Sequence, residues 1–106
     1  MVEPFILQEG RYYRLTMSRT LWEAERTEHG WGEHEVLDGT VIQCTGPVRR
    51  RGWPIQTYFV PVRARTSTGE VRELLLRTSK RGAGPRFIEP VDPLTLLADC
   101  DEAGLL

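Results

Sequence analysis

Apolar and polar residues alternate with a period of two along several stretches of this chain, which is the signature of half-buried β-strands. In Arg11–Met17, Tyr13, Leu15 and Met17 share one face, and Tyr12, Arg14 and Thr16 share the other. The clearest alternation runs from Ile55 to Arg65. There Tyr58, Val60, Val62 and Ala64 stand against Thr57, Phe59, Pro61, Arg63 and Arg65. After Ser67-Thr68-Gly69 the pattern resumes over Val71–Thr78, with Leu74 and Leu76 against Glu73, Leu75 and Arg77. Two β-rich runs joined by a short glycine-containing loop predict a hairpin. Its register sets Arg63 opposite Glu73. Pro61 has no N–H to give a ladder, so it calls for an edge strand or a bulge at that point.

The remaining pattern is shorter. Thr20-Leu21-Trp22-Glu23 fits a capping box, and Gly30 suits a helix end, so a short helix over 21–29 competes with an irregular excursion there. Val36 to Cys44 reads either as a tight turn at Asp38-Gly39 followed by a strand, or as one strand bulged at Gly39. A further short run, Arg86–Val91, meets a proline at Pro90. Asp92-Pro93 then opens a C-terminal helix over about 93–103, with Leu94, Leu97 and Ala98 on one stripe and Gly104 closing it. The sum is a mainly β, single domain over 1–106. It is a small antiparallel barrel or rolled sheet of about five strands, SH3-like or OB-like in layout, with a terminal helix.

Charge changes the picture more than composition does. The 106 residues have a formal net charge of −1, but the charges are sorted. Residues 1–44 carry four basic and eight acidic groups, residues 45–86 ten basic and two acidic, and residues 87–106 five acidic and none basic. Local fields of this kind decide which partners a surface attracts. Arginine outnumbers lysine thirteen to one, which favours bidentate, stacking-capable cations, though a GC-rich genome yields the same skew. Cys44 and Cys100 form no metal-binding spacing and are expected to be reduced thiols. The first ten residues have no secretory pattern and no apolar run approaches a membrane span, so the expectation is cytoplasmic.

The hairpin gives the basic block a geometry. The segment entering its first strand, 46–54, and the segment leaving its second, 79–86, must lie at the end opposite the turn. This brings Arg49, Arg50 and Arg51 towards Arg77, Lys80, Arg81 and Arg86, with Trp53 among them. Arginines that hold phosphates beside an aromatic that stacks on a base point to a nucleic acid or another polyanion as partner. The expected function is therefore a non-enzymatic binding module. The competing explanation is that the acidic C-terminal helix folds back over the pole and neutralises it.

A second reading assigns protein interaction, as an inhibitor or adaptor of a small regulatory system from a bacterium or phage. It uses Trp22, Trp31, Glu33 and Glu35 together with the acidic Asp99, Asp101 and Glu102. The terminal Leu105-Leu106 also leaves a homodimer open. His29 and His34 lie among glutamates and are candidates for a metal, but their spacing matches no zinc signature. No nucleophile elbow, triad or phosphate-cradling loop is present, so neither catalytic residues nor a cofactor are expected.

Overall fold

The computed structural model describes residues 5–24, 32–52 and 54–91. They form eight strands: β1 Tyr12–Leu15, β2 Arg19–Glu23, β3 Glu33–Val36, β4 Val41–Cys44, β5 Arg49–Arg51, β6 Thr57–Arg65, β7 Val71–Thr78 and β8 Ile88–Pro90. All pairings are antiparallel, in a single sheet of order β3-β2-β7-β6-β4-β1-β8, with β5 also on β6.

Sheet order and chain order together require a curl. β1 and β2 stand four places apart in the sheet, which in a flat sheet would separate them by about 19 Å. Only residues 16–18 join Leu15 to Arg19, and that link reaches at most about 14 Å. The sheet must therefore roll. It does not close, because among the described residues no ladder joins β3 to β8.

Rolling encloses one face, and that face is the core. Leu15, Val36, Ile42, Val60, Val62, Ala64, Leu74, Leu76 and Ile88 are at most 1% exposed and pack as one cluster. The longest hairpin, β6–β7, pairs Tyr58↔Thr78 through Arg65↔Val71, and the Arg63–Glu73 pair falls in register with 3.7 Å between charged atoms. Pro61 meets its need by a bulge. β4 pairs Cys44↔Val62 and β5 pairs Arg49↔Phe59, so residues 45–48 loop out opposite the proline. Thr45 N–H donates to the Pro61 carbonyl at 2.9 Å. A Cβ on Gly46 would sit 3.0 Å from the Pro61 ring, so glycine lets the bulge lie flat against it.

Several expectations are corrected. Eight strands replace about five, because β2, β3 and β5 are short and carry little apolar alternation. Residues 21–23 belong to a strand, not a helix: the Thr20–Glu23 capping pattern is outweighed by pairing of Thr20 with Glu35 and of Trp22 with Glu33. Ala24 is a bend that ends the strand, and residues 25–29 of the expected helix and the whole 93–103 helix lie outside the described residues. Met17 leaves the face of Tyr13 and Leu15 and is 49% exposed, because the chain bends out of β1 after Leu15. At 36–44 the turn alternative holds. Gly39 has φ +84°, Thr40 N–H donates to the Leu37 carbonyl at 3.1 Å, and β3 and β4 part to different places in the sheet. Among the described residues no helix is long and apolar enough to cross a membrane.

Candidate functional site

The outer face of β5, β6, β7 and β2 carries an apolar strip that the alternation does not advertise. Phe59 and Leu75 fall on it because they are out of phase with the core residues Val60, Leu74 and Leu76. With Ala24 they form a second buried cluster. Trp22, paired with Leu75 across β2–β7, stacks on Phe59 with ring centroids 6.3 Å apart and remains 43% exposed. Its indole N–H donates to Glu33 Oε1 at 3.0 Å, which fixes the ring orientation.

Cations border this strip. Directly opposed residues in antiparallel strands share a face, so Arg49 on β5, Phe59 on β6 and Arg77 on β7 form one transverse row. Arg51, two residues along, joins that face and donates from its guanidinium to the Ala24 carbonyl at 3.2 Å. Two adjoining cavities of about 500 Å³ share Trp22, Thr57, Phe59 and Leu75 in their linings; Arg51 lines one, and Arg19 and Arg77 the other. Arg19 lies over the Phe87 ring, 4.4 Å from its centroid, a favourable cation–π distance.

The sequence-predicted cations are distributed as follows. Arg49, Arg50 and Arg51 lie in a strand rather than a loop, since Thr57-Tyr58-Phe59 give them a β-prone partner. Gly52 then starts the reversal at φ +100°, where a Cβ would stand 2.5 Å from the Ile55 carbonyl oxygen. Arg50 points to the face opposite Arg49 and Arg51, in the row of Tyr58 and Thr78. Lys80 and Arg81 occupy an exposed turn after β7, and Arg86 is exposed before β8. The turn is held from below: Leu7 N–H donates to the Gly82 carbonyl, Gly84 N–H to that of Phe5, and the Gly82 Cα faces Val48. Among the described residues, Arg19, Arg49, Arg50, Arg77, Lys80, Arg81 and Arg86 have no carboxylate within ion-pair distance.

Arg72 and Arg65 belong elsewhere. Arg72 bridges Glu70 and Glu23, and Arg65 donates to the Gly69 carbonyl. Glu23 also meets His34 Nε2 at 2.7 Å. His34 is thus engaged by a carboxylate that an arginine shares, at a rim where Gly32 leaves room for the Glu23 carboxyl. Among the described residues, no group of three or more His, Cys, Asp or Glu side chains could hold a metal ion. Glu35 is exposed on β3, opposite Thr20. Trp53, Trp31, His29, Asp99, Asp101 and Glu102 lie outside the described residues.

Sequence reasoning missed Phe59, Leu75, Arg19 and Phe87. The first two were detectable as apolar residues on the polar face of the hairpin. The other two come together only through the β1–β2 corner. Trp22, assigned by sequence to a rival surface, stands on the same face as Arg49, Arg51 and Arg77.

What these features define is a mainly β protein with one rolled antiparallel sheet, bearing a basic, aromatic outer face. No protein-family model matches the chain, no curated protein matches it in sequence, and no solved structure matches its fold.

Proposed function

We propose that this protein is a non-enzymatic module that binds nucleic acid through the outer face of β5, β6, β7 and β2, with the 79–86 turn adding charge at its margin. The observation that carries this reading is the Arg49–Phe59–Arg77 row beside an exposed, oriented tryptophan. Guanidinium groups without carboxylate partners repel one another, and a phosphate backbone relieves that repulsion. An aromatic between them adds sequence-tolerant contact area. The same reading favours a cytoplasmic setting, where a free buried thiol such as Cys44 stays reduced.

The test is a polarisation titration with labelled single- and double-stranded DNA and RNA at two salt concentrations. Binding should weaken steeply with salt. The double substitution Arg49→Ala/Arg77→Ala should weaken it by about tenfold or more at low salt and flatten the salt slope, by roughly 0.7 for each single-strand phosphate no longer neutralised. Unchanged affinity in that variant would overturn the assignment.

A second reading, a protein-binding face, is favoured by one observation: Trp22 is exposed and pinned by Glu33, in the manner of an interface anchor. Trp22→Ala with loss of a protein partner, and no nucleic-acid binding by the parent chain, would select it.

A further inference from the structure

The same face holds an opening that bears on which form of nucleic acid it takes. β2 pairs with β7 only at Trp22↔Leu75 and Glu23↔Leu74. Beyond Leu75, β7 continues with β6 to Thr78, while β2 continues with β3 back to Arg19. The two strands therefore part, and one of the 500 Å³ cavities lies where they do.

Two flat groups line that cavity. One is the Trp22 indole, backed by Phe59 and oriented by Glu33. The other is the Arg19 guanidinium, centred 4.4 Å over the Phe87 ring. Arg77 also lines it, an exposed cation two strands away from Arg49, across Phe59. A guanidinium and an indole are both planar, and both suit a heteroaromatic ring.

We propose that the opening between β2 and β7 is a stacking slot for an unpaired nucleobase, so that the ligand of this face is single-stranded nucleic acid rather than duplex. The inference rests on the proposed function, which needs phosphate binding but not base insertion. In a duplex the base faces are already stacked on their neighbours, and exposing one costs unstacking and unpairing energy. A single strand lays its phosphates along Arg49 and Arg77 while one base turns into the slot.

The experiment compares a short single strand with the same strand carrying abasic sites, which keeps every phosphate and removes the rings. DNA and RNA versions of both are used, with a duplex of equal charge as the third ligand. The base-bearing strand should bind roughly tenfold or more tightly than the abasic one, and more tightly than the duplex. Trp22→Leu should erase most of that difference, and Trp22→Phe should retain it. Arg19→Ala is the second variant, because its side chain is exposed and its loss leaves the core untouched; it too should shrink the difference. Equal affinity for the base-bearing and abasic strands overturns the slot and leaves phosphate binding standing. A difference that persists in both Trp22→Leu and Arg19→Ala overturns it as well. Absence of binding to any strand overturns both the slot and the proposed function.

Discussion

The two faces of the β6–β7 hairpin use the same residue types and put them to different use. Inside, Val60, Val62, Leu74 and Leu76 are at most 1% exposed and join residues from the short strands β1, β2, β3, β4 and β8 in one cluster. Outside, Phe59 and Leu75 are nearly as buried, yet they sit under Trp22 and border open cavities, with Arg49 and Arg77 in the row of Phe59. Burial alone therefore does not separate structure from site here. What separates them is the company: the inner cluster is ringed by apolar side chains, while the outer one has Arg49 and Arg77 beside it, which meet no carboxylate among the described residues. A face selected only for stability would pair those charges or disperse them.

Substitution at adjacent leucines probes that contrast most strongly. Leu76→Ala should cost about 2–5 kcal/mol, the usual range for a truncated core leucine. Leu75→Ala should cost less, about 1–3 kcal/mol, because its cavity opens to solvent and water refills the space. Chemical denaturation measures both. Only Leu75→Ala should also weaken nucleic-acid binding, and the contrast fails if both variants bind alike.

A smaller effect is expected at the rim. Glu23→Gln removes the carboxylate shared by His34 and Arg72 and should cost about 1 kcal/mol, since the side chain is only partly shielded from solvent. Thermal unfolding reads this, and binding on the outer face should not change. Smallest of all, Arg49→Ala/Arg77→Ala should leave stability within about 0.5 kcal/mol of the parent, or raise it, because it relieves repulsion and leaves the core packing intact. That is the reverse of the leucine result: binding falls and the fold stays.

The inner face also sets a response to alkali. Burial pushes the Tyr13 phenol up, against the pull of the Gln8 N–H that donates to its oxygen at 2.9 Å, and burial likewise pushes the Cys44 thiol up. Both raised groups are neutral in the fold. Their contribution to stability is therefore complete below their ordinary values of 9.0 for the thiol and 10.0 for the phenol, and is lost as pH rises through the higher folded ones. Denaturation midpoints should be flat up to about pH 8.5 and fall beyond it. A midpoint that rises over that range would contradict the burial of these two groups. Both belong to the inner cluster, which again sets the faces apart.

The central hairpin was legible in the sequence because it is long and largely alternating, and Pro61 called for an edge strand or a bulge, of which residues 45–48 supply the second. The short strands were not. Glu33–Val36 and Arg49–Arg51 carry charge at most positions and are strands only because Arg19–Trp22 and Thr57–Phe59 lie alongside them. The capping pattern at Thr20 misled for the same reason: a local helix signal worth about 1 kcal/mol is outweighed by two flanking strands. Of the candidate site, sequence order alone gathered Arg49, Arg51 and Arg77. Trp22 entered it through β2–β7 pairing, from a distance of more than twenty-five residues.

By itself, the sequence determined the alternation that makes the chain β, the hairpin that brings two basic segments to one end, and the excess of arginine there. These depend on neighbours a few residues apart, where a period and a turn suffice. Tertiary structure alone decided which face each arginine takes, that Arg49 and Arg77 flank Phe59, and that β2 parts from β7 beside Trp22, Arg19 and Phe87. The reason is the curl. A three-residue corner between strands four places apart forces the sheet to roll, and the roll brings together aromatic rings and cations that no local pattern connects.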